Sequence, residues 1–303
     1  MAKTKKHALL QWVEYLLYRS VAALVRSASD EAVLRWGARL GTVSRRLLRR
    51  RDRLAMQNLR AVFPERDPGE LRRILDECWR HFGRELLMYV QIQNVPLAEI
   101  AARCEFENVQ ILDDAVARGR GVVLITAHWG GWELAGLALM TLVGNVRMVA
   151  RKLDNEYLER DLVRLRSQTG AEVIDRRNAA RALLRALAEN AVLVLLPDQA
   201  VQEREGVLVP FLGRPAWTTP APAKLALRAK STIVFGFCIV HGTRHSVVFQ
   251  EAIHIDELSE AERDPVALTT RINEVISRRI TERPEHWLWM HDRWKGTGGS
   301  GAV

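Results

Sequence analysis

The 303-residue sequence predicts an α/β fold, with a largely parallel central sheet flanked by helices. Three observations carry this expectation. From about residue 105 onward, short apolar runs alternate with amphipathic segments of helical period, the pattern of parallel strands joined by crossover helices. The length and a hydrophobic content of 48% suffice for a substantial core in one domain. Two helical segments also open with recognisable start signals: two glycines before Trp132, and Thr219 followed by Pro220.

The N-terminal stretch "MAKTKKHALLQWVEYLLYRSVAALVRS" places Leu10, Val13, Leu17, Val21 and Leu24 on one helical face. Trp12, Tyr15 and Tyr18 lie beside that face, with Lys3, Lys5, Lys6, Arg19 and Arg26 as cationic flanks. Gln11, Glu14 and Arg19 break the apolar run, whereas a spanning helix needs roughly 20 mostly apolar residues and a secretory signal needs a small-residue cleavage site. Residues 1–30 therefore read as a membrane-anchoring helix lying in the interface. A short or tilted transmembrane anchor, and a helix packed on the domain's own core, are the alternatives.

Residues 31–104 read as a helical lead-in, interrupted at "FPERDPGE" (63–70). Within it "RRLLRRRDR" (45–53) sets six arginines in nine residues, either a solvated helix face or a contact with lipid phosphate. Residues 105–295 form the α/β core, with candidate strands at 121–126, 146–150, 171–174, 191–196, 232–240 and 245–250. Helices are expected near 131–143, 155–168, 178–189 and 219–230. "GTGGSGAV" (296–303) reads as a flexible tail.

Forty-five Lys and Arg against 36 Asp and Glu give a formal charge of +9, which suits a polyanionic partner: membrane phosphate, nucleic acid or an acidic carrier protein. No aromatic-basic stacking motif or DNA-reading helix accompanies the arginines, so no nucleic-acid partner is expected. Cys78, Cys104 and Cys238 have neither metal-ligand spacing nor an even-numbered framework. They read as core thiols in a reducing compartment, and no metal site is expected.

The chemistry concentrates in "TAHWGGWELAG" (126–136). In open α/β sheets functional groups gather where strands end. His128 lies two residues beyond a predicted strand, and Asp198 holds the equivalent place after "AVLVLLP", so both can line one cleft. His128 and Glu133 would lie about 140° apart on a continuous helix. Gly130 and Gly131 break the chain between them, leaving His128 in the loop and Glu133 in the first helical turn. There the carboxylate can accept from one imidazole nitrogen and leave the other free to take a proton. No G-x-S-x-G elbow, H-E-x-x-H, Walker loop or G-x-G-x-x-G supplies another centre. The simplest completion is that a substrate hydroxyl, deprotonated by His128, attacks an activated acyl group. A hydrolase using water, and a core histidine beside a helix-capping glutamate, are the alternatives.

"HWGGWEL" (128–134) resembles the H-x4-D/E box of the lysophospholipid and glycerolipid acyltransferase superfamily, and most closely the late (secondary) acyltransferases of lipid A biosynthesis. The resemblance covers nearly the whole chain. "NLRAVFPE" (58–65), "HFGRELLMYV" (81–90), "VARKLDNEYLERDLVRLRSQTGAEVIDRR" (149–177), "LLPDQ" (195–199), "GVLVPFLGRPAWTTPAPAKLALR" (206–228) and "RPEHWLWMHDRWK" (283–295) match in order and spacing.

The resemblance implies an α/β sandwich on the cytoplasmic face of the inner membrane, with His128 as general base and Glu133 orienting it. Arg151 then holds a substrate phosphate, and Asp198 orients the acceptor or supports Arg151 or His128. Gln199 follows on the acceptor side, and Arg176 and Arg214 are further phosphate ligands. "VPFLG" (209–213) either borders an acyl channel or ends a core strand. Backbone N–H groups of Gly130 and Gly131 are the expected oxyanion donors. The implied reaction moves a fatty acyl chain from an acyl thioester to a glycolipid hydroxyl, in a lipid A precursor or alternatively a phosphatidylinositol mannoside or lysophospholipid. The co-substrate is acyl-ACP, with a transient acyl carrier protein partner, or acyl-CoA; no cofactor is required.

Overall fold

Helical spacing in the lead-in produces helices. A computed structural model describes residues 2–93, 95–150, 154–168, 172–175 and 179–297. It opens with α1 (Ala2–Arg26), α2 (Asp30–Leu47), α3 (Arg49–Val62), α4 (Pro68–Ile92) and the short α5 (Leu97–Ala101). The loop predicted at 63–70 separates α3 from α4, and Asp67 caps α4 by accepting from the Gly69 and Glu70 amides, with Pro68 at the first helical position. Gly37 and Gly41 on α2 meet Gly83 on α4 backbone to backbone: a Cβ at Gly41 would stand 2.0 Å from the Trp79 carbonyl oxygen. That close crossing fixes α4 against its neighbours.

The remaining elements are β1 (Cys104–Glu107), α6 (Val109–Ala117), β2 (Val122–Ile125), α7 (Trp132–Leu142), β3 (Val146–Ala150), α8 (Glu156–Gln168), β4 (Glu172–Asp175), α9 (Ala179–Ala188) and β5 (Val192–Leu195). They continue as β6 (Val207–Phe211), β7 (Arg214–Thr218), α10 (Ala221–Ala229), β8 (Thr232–His241), β9 (Arg244–His254) and α11 (Pro265–Glu282). The seven-stranded sheet has the order β1-β9-β8-β2-β5-β3-β4. Its central strands are buried on both faces, as continuous apolar runs require. Val123, Ile125, Leu193 and Phe235 face one core with the C-terminal tryptophans; Val122, Leu124, Val192 and Val234 face the other with α6 and α7.

The structure extends the sequence reading in three places. β8 and β9 pair antiparallel, and β1 runs parallel to β9, so two of the seven strands oppose the rest. The stretch read as bordering an acyl channel or ending a core strand is a hairpin: β6 and β7 pair antiparallel across a two-residue turn in which Leu212 and Gly213 both have positive φ. The start of α10 lies one residue later than predicted, with the Thr219 hydroxyl accepting from the Ala221 amide.

On α1, Leu10, Val13, Leu17, Val21 and Leu24 are exposed, while Ala22 and Val25 turn inward. Tyr15 and Tyr18 are half-buried, Tyr15 donating to Asp161 and Tyr18 to Gln93. Among the described residues no helix is long and apolar enough to cross a membrane. The three cysteines are buried, and burial pushes the Cys78 thiol up to about 12. Most of the tail predicted at 296–303 lies outside the described residues.

Candidate active site

Strand register builds the site. Ile125 at the end of β2 pairs with Leu195 at the end of β5, and the two strands are parallel. Three residues on from each stand His128 and Asp198, so adjacent strands deliver both side chains to the same edge of the sheet. The His128 Nδ1 lies 2.9 Å from Asp198 Oδ1, and the His128 amide donates to Asp198 Oδ2 at 3.0 Å. Against an ionised carboxylate Nδ1 carries the proton, which leaves the Nε2 lone pair as acceptor. The Gln199 Nε2 lies 3.3 Å from that atom, and the Trp132 ring stands 5.6 Å from the imidazole centroid.

Asp198 is fully buried and His128 is not; about a quarter of its side chain is exposed. Burial is the largest influence on each and opposes charge on both. For His128 it is outweighed by the Asp198 charge and hydrogen bond and then by the Glu133 charge, so the imidazole is raised above its ordinary value. For Asp198 the His128 charge and hydrogen bonds, with the Trp287 hydrogen bond, overcome burial and hold the carboxyl below its ordinary value.

Of the roles open to Asp198, supporting His128 is the one seen. Glu133 stands in the first turn of α7 with an exposed side chain, its charge favouring protonated His128. The Gly130 and Gly131 amides, expected as oxyanion donors, are already committed. Gly130 donates to the His286 carbonyl at 3.0 Å, and Gly131 donates to the Cys238 carbonyl at 3.3 Å. The reason is close packing: Gly130 has φ +61°, and a Cβ there would stand 1.8 Å from the Cys238 carbonyl oxygen. Gly130→Ala should accordingly cost roughly 3–5 kcal/mol, from left-handed strain plus overpacking, measured by denaturant unfolding. Arg214 lies over the Trp294 ring at 4.9 Å. Arg151 and Arg176 lie outside the described residues.

Sequence reading quoted the block at 283–295 without giving its residues a role, and that block is what holds the two loops together. Trp287 Nε1 donates to Asp198 Oδ2 at 2.9 Å, and His291 Nε2 accepts from the Ala200 amide at 2.9 Å. Trp129 Nε1 donates to the Arg283 carbonyl. Three tryptophans and two histidines within this block were the available signal. Trp287→Phe keeps an aromatic ring but loses part of the indole's buried volume and withdraws a donor from a buried carboxylate; a stability loss of roughly 2–5 kcal/mol is expected in thermal or chemical unfolding.

The family model described as bacterial lipid A biosynthesis acyltransferase matches residues 1–296. The chain is 24% identical over 259 residues to the lipid A biosynthesis palmitoleoyltransferase of Escherichia coli (strain K12), covering 86% of this chain and 83% of that protein. The lauroyltransferase of the same organism is 25% identical over 268 residues, covering 87% and 85%. A phosphatidylinositol mannoside acyltransferase of Mycobacterium tuberculosis (strain ATCC 25618 / H37Rv) is 28% identical over 222 residues, covering 72% and 68%. With residues 1–296 matched by the family model, the chain is an acyltransferase and belongs to the bacterial lipid A biosynthesis acyltransferase family.

Proposed function

We propose that the protein is a membrane-associated O-acyltransferase that moves a fatty acyl chain from an acyl-ACP thioester to a hydroxyl of a lipid A precursor. The observation that carries this reading is the Asp198–His128 pair with Nε2 facing an amide. Among the described residues no serine or cysteine side chain hydrogen-bonds that ring, so the acceptor brings the nucleophile. Nε2 removes the proton of the acceptor hydroxyl, and the alkoxide attacks the thioester carbonyl. The tetrahedral oxyanion then collapses, expelling a thiolate that recovers the proton from the imidazolium. Asp198 stays ionised and fixes the tautomer throughout. With Gly130 and Gly131 committed, the oxyanion falls to the first-turn amides of α7 at Trp132, Glu133 and Leu134, where no side chain caps the helix. Glu133 adds negative charge beside His128, and Arg151 retains the role of acceptor-phosphate ligand that the resemblance implies.

Membrane attachment is supported by the exposed stripe of α1 and by the exposed Leu40, Val43, Leu47 and Leu48 on and after α2. Arg46, Arg49, Arg50 and Arg53 are exposed next to it, whereas Arg45 pairs with Asp52 and Asp76. Such a surface sets apolar groups against acyl chains and guanidinium groups against phosphate. The similarity to a phosphatidylinositol mannoside acyltransferase supports a second acceptor class.

The test is mass spectrometry of a Kdo-bearing lipid A precursor incubated with detergent-solubilised enzyme and mixed acyl-ACP thioesters, with His128→Ala alongside. A mass gain of one acyl chain, absent in the variant, is expected. No gain on this acceptor, with gain on a phosphatidylinositol mannoside, would move the protein to the second class; free fatty acid released without any glycolipid would make it a hydrolase.

A further inference from the structure

A buried polar layer packs against the glycine turn. α4 contributes His81 and Glu85, which share one helical face; β9 contributes His245, and the 3-10 turn after α11 contributes His286. The three histidines are buried, and the Glu85 side chain is only 10% exposed. The His81 and His286 rings stack, with centroids 4.4 Å apart and planes 3° from parallel. Glu85 Oε2 lies 3.6 Å from His245 Nε2.

Every member reaches the turn, directly or through a neighbour. The His286 carbonyl accepts from the Gly130 amide, and the His81 ring stacks on the His286 ring. A Cβ at Gly131 would meet His245 Cδ2 at 2.5 Å and Glu85 Oε2 at 3.0 Å. Burial, the largest influence, and neighbouring cationic groups hold His81 well below its ordinary value and His286 near about 4, so the stacked rings are neutral at neutral pH.

Among the described residues His81 Nε2, Glu85 Oε1, both His245 ring nitrogens and His286 Nδ1 lack hydrogen-bond partners. Each such atom costs roughly 1–3 kcal/mol, and aliphatic side chains would fill the same volume with less penalty. Packing alone does not account for these residue types, whereas contact with Gly130 and Gly131, two of the three residues joining His128 to α7, does. We propose that Glu85, acting through His245, is a positioning residue that sets the Gly130–Gly131 turn and with it the angle at which His128 and the first-turn amides of α7 meet the substrate. The kinetic part of this inference rests on the acyl-transfer reading; the chemical part does not.

The test uses the full-length chain with Glu85→Gln, Glu85→Asp, His245→Gln and the Glu85→Gln/His245→Gln double variant. Three quantities are followed: kcat and KM for acyl transfer, the rate at which diethyl pyrocarbonate modifies His128 as read by peptide mass spectrometry, and the thermal midpoint. Glu85→Gln is expected to lower kcat by at least about tenfold with KM nearly unchanged, and to alter the His128 modification rate in a protein that stays folded. Glu85→Asp should recover part of kcat, and the double variant should fall no further than the worse single one. Unchanged kcat and unchanged labelling in folded Glu85→Gln would overturn the inference, as would losses that merely track the folded fraction. His245→Gln decides the matter in the same way if Glu85→Gln does not fold. If wild-type protein shows no acyl transfer to any acceptor, the labelling rate alone judges the positioning role.

Discussion

His128→Ala should lower acyl transfer by roughly 1,000-fold or more while leaving the protein folded. The loss is large because in the proposed mechanism the imidazole is the proton acceptor itself, and the Gln199 amide beside Nε2 cannot replace it. Folding should survive because the side chain is partly exposed and the anchor beneath it persists. In the alanine variant the backbone amide at position 128 still donates to Asp198 Oδ2, and so does Trp287 Nε1. Circular dichroism and a thermal midpoint near wild type, together with lost turnover, are the expected pair of results. Wild-type turnover in the variant would remove the general-base mechanism.

Asp198→Asn should have the second largest effect, a fall in kcat/KM of roughly 1,000- to 10,000-fold, by analogy with the same change in serine-protease triads. Three donors converge on this carboxylate, from His128 Nδ1, the His128 amide and Trp287 Nε1. A carboxamide turns an NH2 group toward at least one of them and no longer selects the tautomer with Nε2 unprotonated. The pH profile should change in a definite direction. A general base must be neutral, and His128 is raised above 6.5, so the wild-type acid limb lies above that value. Without the Asp198 charge, burial dominates and the limb moves down.

Stability should respond with opposite signs for the two groups. The depressed Asp198 contributes above its unfolded value of 3.8, and that contribution is lost as pH falls through the folded value. The raised His128 contributes below 6.5, and that contribution is lost as pH rises through its folded value. Wild type should therefore gain most over Asp198→Asn between these two values, measured by chemical unfolding at a series of pH values. Asp198→Ala, which strands buried donors, should destabilise by roughly 3–5 kcal/mol.

The central strands could be read from sequence because each is an uninterrupted apolar run with no amphipathic alternative, as β2 and β5 illustrate. β1 escaped because "CEFE" is short and charged on an edge, and the β6–β7 turn because a leucine occupies a left-handed position where glycine or asparagine would have signalled a hairpin. α11 was readable, with Asp264 and Pro265 at its start and Leu268, Ile272, Val275 and Ile276 at helical spacing, yet that stretch received no assignment. In the site, His128 was evident from its glycine turn. Asp198 was legible as a strand-end partner lining the same cleft, but sequence reading assigned the orienting of the imidazole to Glu133 and left Asp198 several roles, because its contact with Nδ1 depends on β2 and β5 being neighbours in a particular register. No local pattern contains that information. Trp287 is more remote still, 89 positions from the carboxylate it contacts.

Residues 283–294 hold loops that leave β2 and β5, and a ribosome makes those loops long before it makes the block that locks them. Until Trp287 and His291 emerge, Asp198 has neither its indole donor nor its neighbouring Ala200 clasp. A nascent chain can therefore complete the sheet, whose last strand ends at His254, before the groups that fix Asp198 exist. Translation order thus separates completion of the sheet from completion of the site, and a chain that stops before residue 287 lacks the indole donor to Asp198.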